Sequence, residues 1–509
     1  MVRKTCQTSF ATDEITRADA DSEVRPITRL ARNSLFIFLA RAMEIGGTLL
    51  TAALLTRYLQ PERFGLYTWI WALVFFFQPL INYELNTILT REIAQTPQRG
   101  PALLGASLII KWALMAVFVA AVICMVVFMD LSQEIRIALI IALLSELAVQ
   151  HSMLFSGVFL GCQRMEYETI LSFVFKFLQI AGLSIAVLLK WPFAYLFAIT
   201  LGANVIRLAM ALRFQVLRFF APRLAWDKLL IRYLLQEAGL VTIGSFLTSL
   251  SFRIDIYFLK WLSGEAAVGL FHLPHMVIMQ LQILPAAMVT ALFPLLALWQ
   301  VEDPVRLRDA ARFSTKMFIA LGGLIAIPGM LFAPWIVRAL GGAAFTDAAR
   351  SFRILIWCAG ILFLNYLATF LLIALKLQRK LIVGAIVSLV INAVGDWLLI
   401  PRLGHVGAAW GTLLGYSSQI VIVYYFLNKG LPGFHLIRSV YVPLTCVGLS
   451  LATTLALEPH SSITAASIGT GVLFASGALL QIVSREERAF VMRAIRSRRR
   501  RLPEPDGAS

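Results

Sequence analysis

Ionisable side chains are scarce in this chain. Asp, Glu, Lys and Arg make up 14% of its 509 residues, where a soluble domain carries about 25%. Charge this dilute cannot cover the surface of a water-soluble protein of this size, and an ordinary cytosolic enzyme is excluded. Acid is scarcer than base, with 28 Asp and Glu against 45 Lys and Arg. Cysteine is rare as well. Cys6, Cys124, Cys162, Cys358 and Cys446 are scattered without ligand spacing, which argues against a metal-binding or disulfide-built scaffold. The six histidines are equally dispersed; His272 and His275 stand one turn apart, with Pro274 between them. No nucleophile–base arrangement, metal cluster or phosphate-cradling glycine loop can be picked out, so neither enzyme activity nor a cofactor is expected.

What fills the chain instead is apolar material, 59% of it. A crossing helix needs about 20 apolar residues. Fourteen runs meet that length: 33–56, 65–90, 103–129, 137–160, 167–189, 192–212, 238–259, 267–298, 317–337, 354–375, 381–400, 407–427, 439–456 and 462–483. The expected fold is an all-α polytopic membrane protein of about 14 transmembrane helices. Residues 1–32 contain Asp13, Glu14, Asp19, Asp21 and Glu23, which reads as a mixed-charge tail rather than a cleaved leader.

The net charge of +17 in a soluble protein would suggest nucleic acid. Here its distribution points elsewhere. With the N-terminus in the cytosol, segments on the inner side hold 31 Lys and Arg and those on the outer side hold 9. That asymmetry is the positive-inside bias. It places both termini of a multi-pass protein in the cytosol, and the arginines from Arg485 to Arg501 against anionic lipid.

An internal echo divides the chain further. Tyr58-Leu59-Gln60-Pro61-Glu62-Arg63-Phe64-Gly65-Leu66-Tyr67 is answered, about 204 positions on, by Trp261-Leu262-Ser263-Gly264-Glu265-Ala266-Ala267-Val268-Gly269-Leu270-Phe271. A fainter echo pairs Gln163-Arg164 with Gln378-Arg379. The expected organisation is a tail (1–32), a six-helix bundle (33–212), a basic linker (213–237) and a second, parallel six-helix bundle (238–427). Two added helices (428–483) and a basic tail (484–509) follow. Parallel repeats of this kind suit a transporter whose bundles rock against each other.

The wording of these segments resembles a known family. Thr56 through Tyr67 followed by Arg91-Glu92-Ile93-Ala94 is similar to the opening of the polysaccharide flippases. These transport O-antigen and exopolysaccharide precursors within the multidrug/oligosaccharidyl-lipid/polysaccharide superfamily. The likeness returns at Arg253-Ile254-Asp255, at Gly264 to Gly269, at the prolines Pro285 and Pro294, and at Asn392 followed by Ile400-Pro401-Arg402-Leu403-Gly404-His405-Val406-Gly407-Ala408-Ala409. It spans residues 33–485, with departures at Glu84 and at Glu237-Ala238-Gly239. It implies a lipid-linked oligosaccharide and membrane lipids as partners, with a polysaccharide polymerase and glycosyltransferases in the same pathway.

Ionisable groups inside a bilayer are costly and mark candidate sites. On the first run Arg41 and Glu44 share a polar face with Thr48 and Thr51; Lys176 sits with Gln179 on the fifth. Asn204 and Arg207 share a stripe on the sixth, and Arg253 follows Ser245 and Ser249 on the seventh. Asn82 on the second and Asn392 on the eleventh add amides. Arg41, Lys176, Arg207, Arg253, Asn82, Asn204 and Asn392 are therefore the candidate substrate-binding residues. Arg and Lys match phosphate oxygens, and amides match sugar hydroxyls. Glu44, Glu146 and Asp255 are candidate ion-coupling groups, with Lys111 or Lys176 available to pair with Glu146. The leading expectation is a flippase for a polyprenyl-diphosphate-linked oligosaccharide. A cation-coupled exporter of small amphipathic molecules and a non-transporting scaffold are the other two readings. Nucleic acid is not an expected partner.

Overall fold

A computed structural model describes the backbone of residues 24–434, 436–458 and 462–479, and the side chains within these except at 24–42, 240, 291, 294 and 436–439. The side chain of Arg41, residues 1–23 and the basic run after Arg485 lie outside the described residues.

Every described regular element is helical. In order they are α1 Val24–Phe76, α2 Gln78–Asn82, α3 Leu85–Gln95, α4 Gly100–Phe128, α5 Gln133–Gly161, α6 Met165–Leu188, α7 Phe193–Phe214, α8 Lys228–Ser251, α9 Ile254–Ser263, α10 Glu265–Gln280, α11 Ile283–Glu302, α12 Pro304–Leu331, α13 Ala333–Gly341, α14 Ala348–Ala374, α15 Arg379–Leu403, α16 His405–Gly430, α17 Leu436–Leu457 and α18 Ser462–Leu479. Short polar residues start several of them. Ser132 Oγ accepts from the Ile135 amide at the head of α5, and Asp227 Oδ1 accepts from the Leu229 and Leu230 amides at the head of α8. Asp303 caps α12 through the Arg306 amide, with Pro304 in the first turn.

By length and apolarity twelve described helices can cross a membrane, or thirteen when the bent pair Lys228–Gly239 and Val241–Ser263 counts as one span. The sequence expects fourteen. The shortfall lies in Met43–Gln95, which joins the runs 33–56 and 65–90 in one stretch. Its backbone turns at Gln60, whose φ of 60° and ψ of 171° leave the helix. Apolar side chains such as Val117, Phe128 and Leu188 stand exposed on these helices, where lipid takes the place of water. The chain is an all-α, multi-pass membrane protein.

Two compact units divide it. The first runs to Gly269 and takes in Leu340–Gly342; the second holds Leu270–Ala339 and the chain from Ala343 onward. Within the first unit, the core gathers Leu85, Leu89 and Ile93 of α3, Leu104 and Leu108 of α4, Leu154 and Val158 of α5, and Leu234 of α8. The two echoing segments also meet inside this unit. A Cβ on Gly65 would collide with the Glu265 carbonyl, and one on Gly269 with the Pro61 carbonyl. Glycine is obligatory at both places because backbone approaches backbone.

The core of the second unit is built from α11, α12, α14 and α16, among them Phe318, Phe363, Leu367 and Leu427. Here α15 and α16 close on a seam of small residues. Gly395 faces Gly411, Gly415 abuts Asn392 Cβ, and Gly407 meets the backbone at Leu399.

Left-handed residues recur at matched places in the chain. Gln60 (φ 60°) and Gly264 (φ 83°) stand 204 residues apart, and both have ψ close to ±180°. Gln163 (φ 56°) closes α5 as Lys376 (φ 60°) closes α14, and Lys190 (φ 52°) ends α6 as Gly404 (φ 57°) ends α15. By this measure Gln163 corresponds to Lys376 rather than to Gln378, and the fainter sequence echo is two residues out of step.

Candidate functional site

The charged residues of the first unit converge where its helices are broken. The second apolar run is interrupted twice. Pro79 in the first turn of α2 cannot donate a backbone hydrogen bond, and Tyr83 and Glu84 are consecutive left-handed residues with φ of 47° and 49°. That conformation costs a non-glycine residue about 1–2 kcal/mol, and side-chain bonds hold it. Tyr83 Oη donates to the Leu235 carbonyl at 3.3 Å. Glu84 Oε1 accepts from Ser245 Oγ at 2.7 Å, and its Oε2 from Thr87 Oγ1 at 2.8 Å. Opposite, the α8–α9 helix breaks at Phe252-Arg253. Broken helices are tolerated at membrane depth where the freed backbone is buried in protein or lines a cavity, and in transporters such breaks commonly form the site.

Around these breaks lie the buried ions. Lys111 of α4 is fully buried and donates from Nζ to Asn82 Oδ1 at 3.3 Å. Glu146 of α5 is 1% exposed, and Gln150, one turn on, donates to its Oε1 at 2.6 Å. The carboxylates whose charge acts on Lys111 are Glu146 and Glu84, and the cations acting on Glu146 are Lys111 and Arg253. Arg253 itself donates from Nη1 to Ser249 Oγ at 2.6 Å, with its guanidinium 5.2 Å from the centre of the Phe75 ring. Beside this group Asn204 Nδ2 donates to Ser145 Oγ at 2.9 Å, joining α7 to α5.

A second group sits apart from the first in its bonding. Arg207 Nη2 pairs with Glu168 Oε1 at 3.0 Å; Ser172 donates to the same oxygen at 3.2 Å, and Ser156 donates to the other. Lys176 donates to Gln179 Oε1 at 3.2 Å, lies against Gly47, and feels the charge of Glu44.

The expected residues thus fall into distinct places. Arg253, Asn82 and Glu146 belong to one charged junction, where Lys111 rather than Lys176 is the lysine whose charge reaches Glu146. Arg207 is neutralised by Glu168, one of two acids in the first turn of α6. Lys176 and Glu44 form a neighbourhood of their own. Asp255 is fully buried in the first turn of α9. Asn392 of the second unit is buried in the α15–α16 seam. Lys111 and Glu84 are the members that sequence reading left out of the site. Their signals were present, a lone cation in mid-span and a carboxylate five residues beyond a mid-span proline. Among the described residues no group of three or more His, Cys, Asp or Glu could hold a metal ion.

This arrangement can compensate charge without water. A buried lysine, two carboxylates and a guanidinium share one junction, so a proton or cation can be exchanged there at less cost than at an isolated group.

Solved structures share the fold. The lipid II flippase MurJ in an inward closed conformation aligns with 88% of this chain and 98% of its own, at a TM-score of 0.67 and 12% identity. An inward-facing multidrug resistance MATE family transporter of the MOP superfamily covers 75% of this chain and 94% of its own, at 0.61 and 16%. A MOP superfamily transporter from Pyrococcus furiosus, described as having a binding pocket of reversed polarity, covers 84% and 98% at 0.57 and 15%. Identities this low establish the fold of MOP transporters and no more. No curated relative matches the chain. The family is nevertheless settled by residues 30–300, which match the polysaccharide biosynthesis protein family over more than half of the sequence: the chain is a member of that family.

Proposed function

We propose that this protein moves a polyprenyl-diphosphate-linked oligosaccharide from the cytoplasmic to the periplasmic leaflet of a bacterial inner membrane, by alternating access between two parallel six-helix repeats. The observation that carries the reading is the charged junction of the buried Lys111 and Glu146 with the half-buried Arg253 in a chain of the polysaccharide biosynthesis family. A diphosphate enters a low-dielectric interior only beside cations, and Arg253 offers a guanidinium fork suited to phosphate oxygens. Asn82 and Asn204 supply amides for sugar hydroxyls, with Lys176 and Arg207 as further cations that the headgroup competes for. In this scheme the long stretch divides at Gln60, which brings the spans to fourteen with both termini cytosolic. The recurrence of left-handed residues at Gln60/Gly264, Gln163/Lys376 and Lys190/Gly404 supports the two repeats. The membrane potential favours the export of an anion, by about 2.3 kcal/mol per charge at 100 mV.

A second reading, the export of small amphipathic cations coupled to an ion at Glu146, is favoured by the burial of that carboxylate and by the MATE-like fold. Reconstitution separates the two. Vesicles containing the protein should flip a fluorescent polyprenyl-diphosphate oligosaccharide, shown by its loss of protection from an external glycosidase. Failure to do so, together with proton-driven efflux of an amphipathic dye, would replace the first reading by the second.

A further inference from the structure

The segment that follows α7 is neither loose nor covered. A single wide turn, Gln215–Phe219, leads into an extended stretch up to Lys228. Its inner side is anchored. Phe219 is buried against Phe159 and Tyr167, at ring separations of 4.8 and 5.3 Å. Gln215 Nε2 donates to the Phe220 carbonyl at 2.7 Å, and the Arg223 amide to the Pro101 carbonyl at 2.8 Å. Gly105 of α4 lets the Arg223 carbonyl approach, since a Cβ there would collide with it.

Its outer side presents Val216, Leu217, Leu224, Trp226 and Leu229, with Trp226 76% and Leu229 81% exposed. Between them stand Arg213, Arg218, Arg223, Lys228 and Arg232, all exposed and none paired with a carboxylate among the described residues. The one acid of the stretch, Asp227, is engaged in capping α8. The candidate span Phe193–Phe219 runs into the start of the segment, and the bent pair Lys228–Gly239 and Val241–Ser263 begins at its end, so continuity holds it at a membrane boundary.

We propose that residues 213–232 form a binding surface for anionic phospholipid, with Trp226 and Leu229 seated among the acyl chains and the five cations on the headgroup phosphates. Charge complementarity selects this occupant. Five cations without a carboxylate partner among the described residues, interleaved with apolar side chains, match an anionic membrane surface. The cations reach lipid already in place, since the anchored backbone fixes where they project.

Trp226 reports on the surface directly. The full-length protein is placed in bilayers containing either brominated phosphatidylglycerol or brominated phosphatidylcholine, and the Trp226 signal is taken as the difference from Trp226→Phe. The anionic lipid should quench it at a mole fraction lower by on the order of tenfold. Replacing Arg213, Arg218, Arg223, Lys228 and Arg232 together by Gln should erase the preference. If that variant fails to fold, the wild-type protein provides the same test in salt, because at 1 M the screening length falls to about 3 Å and the preference should collapse. Equal quenching by both lipids, a preference indifferent to salt, or a Trp226 quenched by neither lipid would overturn the assignment.

Discussion

Gly65 and Gly269 lie against each other's backbone nitrogen, and each abuts the carbonyl of the residue four places before the other. The contact is reciprocal. Gly65 meets Glu265 as Gly269 meets Pro61, and the offset between equivalent positions is 204 in both cases. Reciprocity of this sort is the mark of a local two-fold axis, here relating two segments of one chain. Alanine at either position should therefore have the same effect. Overpacking against a carbonyl costs about 1–3 kcal/mol, so Gly65→Ala and Gly269→Ala should each lower the melting temperature of the purified protein by several degrees. A neutral alanine at one position would mean that the two sides are not equivalent.

Lys111 and Glu146 should show strong coupling. Both are buried, and each lies in the other's field without a direct ion pair, so removing one leaves the other's charge less compensated. Lys111→Met alone and Glu146→Gln alone should thus destabilise far more than the two together. A double-mutant cycle by thermal unfolding measures this, and additivity of the single losses would show the charges to be independent.

Arg253 should be sensitive to shape as well as charge. Arg253→Ala should abolish flipping in vesicles while protein yield is retained, and Arg253→Lys should keep a fraction of the rate, since charge survives but the planar fork does not. Full activity of the alanine variant would remove Arg253 from the substrate path.

Topology is accessible to reporters. A fusion after Ser484 should report the cytosol, and one between residues 457 and 461 the periplasm. Reversal at either point would invalidate the charge-based orientation.

The helices were legible because hydrophobic length is a local property, and so was the echo at Gly65 and Gly269. The charged junction was legible only in part. Arg253, Glu146 and Asn82 stood out as ionisable or amide groups in mid-span, yet nothing local joins Glu168 to Arg207 across 39 positions. Glu84 read as a departure from the family pattern, and its bond to Ser245, 161 positions away, becomes visible only once the helix breaks beside it. Asn392 shares a polar stripe with Ser388 and Asp396 at helical spacing, and that spacing cannot distinguish a water-lined face from one pressed into the glycines of α16. The mismatch of Gln163 with Gln378 arose for a related reason: the repeat is kept in backbone conformation, which several residue types can adopt.

The glycine seam between α15 and α16 has a mechanical consequence. With Gly395, Gly407, Gly411 and Gly415 in close contact along the pair, there is no slack in which one helix could slide or twist along the other. The two behave as a single stiff plank, and any bending in this part of the second unit is pushed out to its ends, at Lys376 before α15 and at Gly430-Leu431 after α16.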